Sequence, residues 1–408
     1  MSNNRFAPEL LSPAGDMERL IMAVQYGADA VYLAGREFGM RAAAANFSNE
    51  ELQTAVKYAH EHGVKLYVTC NTLPREDELS KLPEYLGFLD NSGVDALIIA
   101  DLGVLSMAMK YSPHTAKHVS TQLGVVNSAT ANFLFDVGVD TVVLARECSM
   151  EDIRNIRKNT DPKLRLEAFV HGAMCVSFSG RCLLSNYLTG RDSNRGQCAQ
   201  PCRWKYHLVE ETRPGEFFDI TEDNGTFILN SNDMCMIEHI PELLDAGISS
   251  FKIEGRMKSA YYTATVTNAY RHAIDAALRK QELDPLWVDE SLKVSHRPYS
   301  TGFYYGYPGQ HYGTSSYTQN ADIVAVVDSC DKELNAELSQ RNKFYSGDEL
   351  ELLIPGEKPL SFKAEHIYDS EGNEIPDTPR AMMKIKMRLP AFAPKYSIIR
   401  KCRTEDKK

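Results

Sequence analysis

The sequence predicts an α/β chain: a TIM-barrel-like domain of eight β/α units, a (β/α)8 barrel, followed by a small all-β barrel. Three observations support this. One short phrase recurs, as GADAVYL at 27–33, GVKLYVT at 63–69, GVDALII at 93–99, GVDTVVL at 138–144 and GISSFKI at 247–253. The segment before each glycine tends to read as a helix. The apolar runs of the first 260 residues number eight, which suits a closed barrel, although an open doubly wound sheet satisfies the same alternation.

The helices follow from spacing. In DMERLIMAVQYG, Met17, Leu20, Ile21 and Val24 share one face, Asp16 can cap the start, and Gly27 suits the left-handed end. SNEELQTAVKYAHEHG repeats the plan with Ser48 and Glu51 spaced as a capping box. The strands are PELLS, ADAVYL, VKLYVTC, DALIIAD, KHVSTQ, DTVVLARE, LRLEAFVHG and SSFKIEG, continuous runs of the kind that parallel strands need when both faces are covered. Residues 1–298 are thus the barrel domain, with residues 171–235 as a cysteine-rich insertion. Residues 299–320, rich in Gly and Tyr, read as a linker. In residues 321–408, ADIVAVVDSC, FYSGDELELLIP, LSFKAEHIYD and AMMKIKMRL are short strands separated by turns.

Composition is that of a soluble globular protein, 43% hydrophobic and 25% charged. No apolar run is long enough to span a membrane, and the first residues lack the features of a signal peptide, so the cytoplasm is the expected location. The net charge of −10 argues against indiscriminate nucleic-acid binding by the whole surface. From Arg380 onward, however, ten Lys/Arg face two acids. That tail is either a solvated face or an anchor for RNA phosphates, and the linker tyrosines either stack on bases or pack between the domains.

A barrel of this kind places its chemistry at the C-terminal ends of its strands. Those ends carry Ser12, Asn71, Asp101, Thr121, Gln122, Arg146, Glu147, Glu167, His171, Lys252, Glu254 and Arg256. Taken singly, each is as well explained by a cap or a loop hydrogen bond. Together they describe a polar pocket.

Four of the nine cysteines, Cys175, Cys182, Cys198 and Cys202, fall in HGAMCVSFSGRCLLSNYLTGRDSNRGQCAQPCRW, spaced C-x6-C-x15-C-x3-C. Zinc knuckles favour shorter gaps. An iron–sulfur cluster tolerates wider ones, and Arg181, Arg191, Arg195 and Arg203 would offset its negative charge. Spacing alone leaves iron–sulfur, zinc and reduced structural thiols open. Cys70, Cys148, Cys330 and Cys402 read as ordinary thiols. HExxH and GxSxG are absent, so neither a zincin nor a hydrolase elbow is indicated.

The phrases ELLSPAGDMERLIMAVQYGADAVYLAG, the cysteine phrase itself and FKIEGRMKSAYY resemble peptidase family U32, the collagenase-like proteases, over nearly the whole chain. The resemblance is strongest to the short members that hydroxylate tRNA. Phe178 departs from the family, which has tyrosine there. The resemblance implies a [4Fe–4S] cluster on Cys175, Cys182, Cys198 and Cys202, with Cys235 as a rival for the fourth place. It also implies O2-independent formation of 5-hydroxyuridine at the wobble position of tRNA, with prephenate as hydroxyl donor. Relatives acting on ribosomal RNA or small aromatics, and the original peptidase label, are the alternatives. On this reading Arg41, Gln122, Arg146, Lys252, Arg256 and Lys258 bind substrate, the cations clamping the two carboxylates of prephenate. Glu167, His171 and Glu254 move protons. The partners are the tRNA anticodon arm, through Arg191 and Arg195 among others, and a second protein of the same family.

Overall fold

Each helix–glycine–strand phrase becomes one β/α step in the structure, a computed structural model that describes residues 6–39, 46–204, 206, 208–209, 212, 217–218, 230–310 and 317–403. The parallel strands are β1 (Glu9–Pro13), β2 (Ala30–Leu33), β3 (Lys65–Cys70), β4 (Ala96–Ile99), β5 (Ala116–Val119), β6 (Thr141–Val143), β7 (Arg165–Ala173) and β8 (Ser250–Ile253). They pair in chain order, and β8 joins β7 to β1 through Phe251, which stands opposite Ala168 on one side and Leu10 on the other. That double pairing closes the barrel and removes the open-sheet alternative.

The predicted caps are present. Asp16 accepts the Arg19 N–H at the start of α1 (Met17–Gln25), and Ser48 and Glu51 form both bonds of the capping box on α2 (Asn49–Glu61). One apolar core lies between strands and helices, with Leu10, Leu20, Val31, Leu52, Leu97 and Ile253 almost fully buried. A smaller cluster, Leu11, Ala30, Tyr32, Tyr67, Ala96 and Ile98, fills the barrel interior.

The interior also holds a chain of charge. Glu9 accepts hydrogen bonds from Tyr67 Oη (2.9 Å), Lys65 Nζ (3.0 Å) and Arg165 Nη1 (2.9 Å). Ser250 Oγ lies between Glu9 and Glu167, and Glu167 is ion-paired with Lys252. Burial raises the Glu9 carboxyl, but Arg165 and Lys65 outweigh it and hold the group below its usual range.

Strand β7 outlasts the barrel. Its end keeps His171 opposite Ile253 of β8 and also pairs antiparallel with Asp233–Cys235, so that Ala173 stands opposite Asp233. The segment Asp233–Cys235 then pairs with Tyr299–Ser300. Residues 299–310, read from sequence as linker, are therefore part of the barrel domain. Tyr304 is buried and Tyr299 half-buried, and Tyr304 Oη donates to the Phe169 carbonyl at 2.6 Å.

The C-terminal domain is a half-barrel sheet of eight antiparallel strands: β9 (Ala321–Cys330), β10 (Asn335–Gln340), β11 (Glu349–Leu353), β12 (Leu360–Lys363), β13 (Ile367–Asp369), β14 (Glu374–Ile375), β15 (Lys384–Arg388) and β16 (Ile398–Cys402). Strand β16, hidden in the basic tail, lies between β9 and β11. Its Arg400 is fully buried against Glu290 of the barrel domain (2.6 Å) and Glu351 (2.8 Å). Part of the tail's charge is answered locally: Lys384 pairs with Asp328, Lys386 with Glu337, Lys401 with Asp348 and Arg403 with Asp322. No helix among the described residues is long and apolar enough to cross a membrane.

Candidate active site

The C-terminal ends of the strands surround a cavity of about 130 Å³. Strand β8 continues into Lys252, Glu254 and Arg256, the β6 end supplies Arg146, and Asn71 and Gln122 follow β3 and β5. Tyr32 and Phe169 form its aromatic walls, and Thr69, Ser120 and Thr121 add hydroxyls.

Three cations converge on this space. Lys252 Nζ lies 4.6 Å from the Tyr32 ring centre and 5.5 Å from that of Phe169, while the Arg146 guanidinium lies 3.9 Å from the Phe169 centre. Arg146 Nη1 donates to the Ala173 carbonyl (2.8 Å), and its buried Nε has no partner. Arg256, almost fully buried, donates to Thr69 Oγ1 at 2.9 Å. Arg146, Lys252 and Arg256 thus present positive charge to a partly dehydrated pocket, the condition under which a carboxylate is bound most strongly. Glu254 Oε2 accepts the Gly255 N–H (2.7 Å) and stands 3.1 Å from Tyr32 Oη. Burial, reinforced by Glu254, pushes the Tyr32 phenol well above its ordinary value and keeps it protonated. Asn71 Nδ2 donates to Gln122 Oε1 at 2.6 Å, fixing the two amides against each other.

The cysteine loop roofs the pocket with Cys175, Ser179 and Gly180. Gly180 has φ +75°, and a Cβ there would meet Gln122 at 2.8 Å, so only glycine allows the roof to come this close. Two contacts hold the roof down. Ser179 N–H donates to Glu147 Oε1 (3.3 Å), and Arg195 grips Glu78 with two 2.8 Å bonds and the Leu73 carbonyl with a third at 3.1 Å. Those bonds draw Glu78 down to about 2. Arg195, expected at an RNA face, is a clamp between roof and barrel.

Several sequence expectations need correction. Glu167 does not line the cavity; it is the fully buried counter-charge of Lys252, 2.8 Å away. His171 faces away. A shift in register sets Lys252 opposite Phe169 but Ile253 opposite His171, so the alternation that points Phe169 inward is broken one residue later. His171 Nδ1 stands 3.2 Å from Tyr270 Oη and Nε2 3.1 Å from Tyr299 Oη, and burial pushes the imidazole down to about 3. It is a neutral core histidine. Lys258 is also outside the cavity; it donates to the Ser295 carbonyl (2.7 Å) and lies 4.1 Å from the centre of the Tyr317 ring, with burial lowering it to about 8. Cys235 sits in the tyrosine cluster, 3.7 Å from Tyr270 Oη and 3.9 Å from Ser291 Oγ. Ser12 bonds Thr267 across 2.6 Å, and Asp101 caps helix α4 (Leu102–Tyr111). Arg41 lies outside the described residues. Tyr32, Phe169, Thr69 and the Ser179–Gly180 roof were not anticipated. Strand alternation from Glu167 would have found Phe169, but nothing local marks the roof.

Among the described residues, no three His, Cys, Asp or Glu side chains converge tightly enough to hold a metal ion. Burial raises the Cys202 thiol, Arg203 lowers it, and the charges of Cys175 and Cys198 raise it further. Gln200 N–H points at Cys198 Sγ at 3.4 Å, the kind of amide–sulfur contact that tunes iron–sulfur centres. Ser193 Oγ (2.6 Å) and Asn194 Nδ2 (3.3 Å) tie down the Cys182 carbonyl. The donor set, four thiols on one loop, has the chemistry of a thiolate-bound group.

Fold and site together define a (β/α)8 barrel with a cationic pocket beneath a cysteine-rich roof and an antiparallel domain behind it. The profile of peptidase family U32 matches residues 15–313, and that of the family's C-terminal domain matches residues 319–400. The chain belongs to peptidase family U32. It is 39% identical to tRNA hydroxylation protein P1 of Bacillus subtilis, over 94% of this chain and 92% of that one. It is 35% identical to tRNA hydroxylation protein P of Escherichia coli, over 92% of each. A 23S rRNA 5-hydroxycytidine synthase of Escherichia coli is 39% identical over 67% of this chain and 40% of its own length.

Proposed function

We propose that this protein is an RNA hydroxylase that converts uridine to 5-hydroxyuridine at the wobble position of tRNA. The observation that carries the reading is the convergence of Arg146, Lys252 and Arg256 on one pocket walled by Tyr32 and Phe169. Three cations beside aromatic faces suit a small dicarboxylate with an unsaturated ring, and prephenate is the co-substrate of that chemistry. The base is oxidised by two electrons as C5–H becomes C5–OH, and the donor carbon is reduced by two as it gives up its hydroxyl. Neither O2 nor an external reductant is then required. The relatives named for tRNA and rRNA hydroxylation support the reaction class.

Within this reading Arg146, Lys252 and Arg256 bind and orient the donor, and Asn71 and Gln122 add amides to the same wall set. Glu254, the pocket's carboxylate, takes the proton released at C5 of the base and returns it to the donor carbon, where a C–H bond replaces the C–OH bond that breaks. Cys175, Cys182, Cys198 and Cys202 hold a [4Fe–4S] cluster, which supplies electron-transfer capacity when bound. A peptidase reading gains nothing from the geometry, because both ring nitrogens of His171 are engaged by tyrosines and it cannot activate Cys175.

The test is nucleoside mass spectrometry on tRNA and rRNA incubated without O2, with and without prephenate. Product confined to tRNA and dependent on prephenate supports the proposal. Product only in rRNA, or only in the presence of O2, overturns it.

A further inference from the structure

Two surfaces compete for the RNA. The C-terminal domain carries the basic tail, but Lys384, Lys386, Lys401 and Arg403 of that tail are paired with acids of the same domain. The cysteine loop is the opposite case. Residues 171–204 hold four arginines and one acid in a chain of net charge −10. That acid, Asp192, is spent capping its own turn by accepting the Asn194 N–H. Arg181 and Arg191 are exposed.

The same loop exposes aromatic surface. Tyr187, on helix α7 (Leu184–Thr189), is 81% exposed, and Trp204 is 42% exposed. Leu183 and Leu188 beside Tyr187 are exposed as well. Arg203 bonds the hydroxyl of Tyr317, itself 42% exposed, and so extends the platform toward the C-terminal domain. Arg181 directly follows Gly180, which roofs the pocket, so this face begins at the pocket's rim.

Resting on the hydroxylase reading, we propose that the outer face of the cysteine loop is the RNA-docking surface. Tyr187 and Trp204 stack on unpaired bases, while Arg181 and Arg191 meet phosphates. Stacking is indifferent to sequence and needs splayed bases, so the ligand is a single-stranded loop rather than a duplex. A base flipped out of that loop would have a short path to the pocket.

The experiment measures binding of a synthetic anticodon stem–loop hairpin, and of a duplex lacking the loop, to the full chain purified without O2. Tyr187→Ala and Trp204→Ala should each weaken hairpin binding about tenfold or more. Tyr187→Phe should bind as wild type, because the ring and not the hydroxyl does the work. Arg191→Ala should reduce the salt dependence by about one counterion. The double variant Lys384→Ala/Lys386→Ala should bind normally. If wild type binds the hairpin and the alanine variants bind it equally well, the docking surface is elsewhere and the inference fails. If those variants instead alter self-association in sedimentation, the face is a protein interface and the inference fails. If wild type binds no hairpin, the tRNA reading itself falls.

Discussion

Lys252 offers the sharpest test, because the structure gives it one role and the proposed function a second, separable one. Its ammonium is 2.8 Å from Glu167 Oε1, with the side chains 5% and 0% exposed. Lys252→Met removes the one cation that, among the described residues, bonds a carboxylate that otherwise keeps Ser250 Oγ at 3.0 Å. Breaking one side of a buried pair costs about 3–5 kcal/mol. That is a large share of the roughly 5–15 kcal/mol by which a domain is stable. Removing both charges in Lys252→Met/Glu167→Leu should restore most of the loss, since an apolar replacement of a buried pair is near neutral. If Lys252 also binds a donor carboxylate, the rescued double variant should still bind the donor about tenfold to a hundredfold more weakly, the value of a charge-assisted hydrogen bond. Urea unfolding followed by tryptophan fluorescence reads the first quantity, and prephenate titration reads the second. A single variant that loses less than about 1 kcal/mol refutes the buried-pair argument. A double variant that is stable and binds the donor normally refutes the role in binding.

Four further outcomes are expected. Arg400→Met should destabilise by at most about 3–5 kcal/mol, because it removes the buried cation between Glu290 and Glu351 but leaves Lys293 3.2 Å from Glu290; Glu290→Gln in the same chain should recover part of the loss in thermal melts. Arg195→Ala should free the roof without unfolding the barrel, seen as faster protease cleavage within residues 174–204 while the barrel's melting temperature stays within a few degrees. Burial pushes His171 and His118 each down to about 3, whereas an unfolded histidine titrates near ~6.5. The unfolded chain therefore binds more protons between those values, so stability is complete above about pH 6.5 and falls toward pH 3, by up to about 1.4 kcal/mol per histidine per pH unit; urea midpoints at successive pH values should show this, with a smaller slope in His118→Phe. Cys175→Ala and Cys202→Ala should each abolish the visible absorbance and bound iron of anaerobically purified protein, whereas Cys235→Ala should leave both unchanged.

The barrel was legible because each unit repeats one physical solution, a capped amphipathic helix, a glycine exit and a strand covered on both faces. The pocket cations were legible for a related reason: Arg146, Lys252 and Arg256 appear where apolar runs stop. Legibility failed where local pattern and tertiary pairing disagree. The register shift at the end of β7 turned His171 into the core, a change no alternation rule contains. Glu167 and Lys252 sit on different strands, and their pairing exists only once the barrel closes. Strand β16 carries Arg400 at a fully buried position, so its sequence looks like a solvated basic tail although it lies in the middle of a sheet. The glycine- and tyrosine-rich segment looked like a linker because its tyrosines spend their hydroxyls on distant carbonyls rather than on neighbours.

The rung between Ala173 and Asp233 has a wider meaning. Everything from residue 174 to residue 232 leaves and re-enters the barrel at a single ladder position. Such an excursion behaves as a cassette: its length and composition can change without altering strand order, because the chain always returns to the same address. Within it Gly180 and Arg195 are held to the barrel at Gln122 and Glu78, so change is freest at outward residues such as Tyr187 while the cationic floor stays fixed. Exchange of that cassette between relatives offers a direct route to retargeting the same pocket to a different RNA.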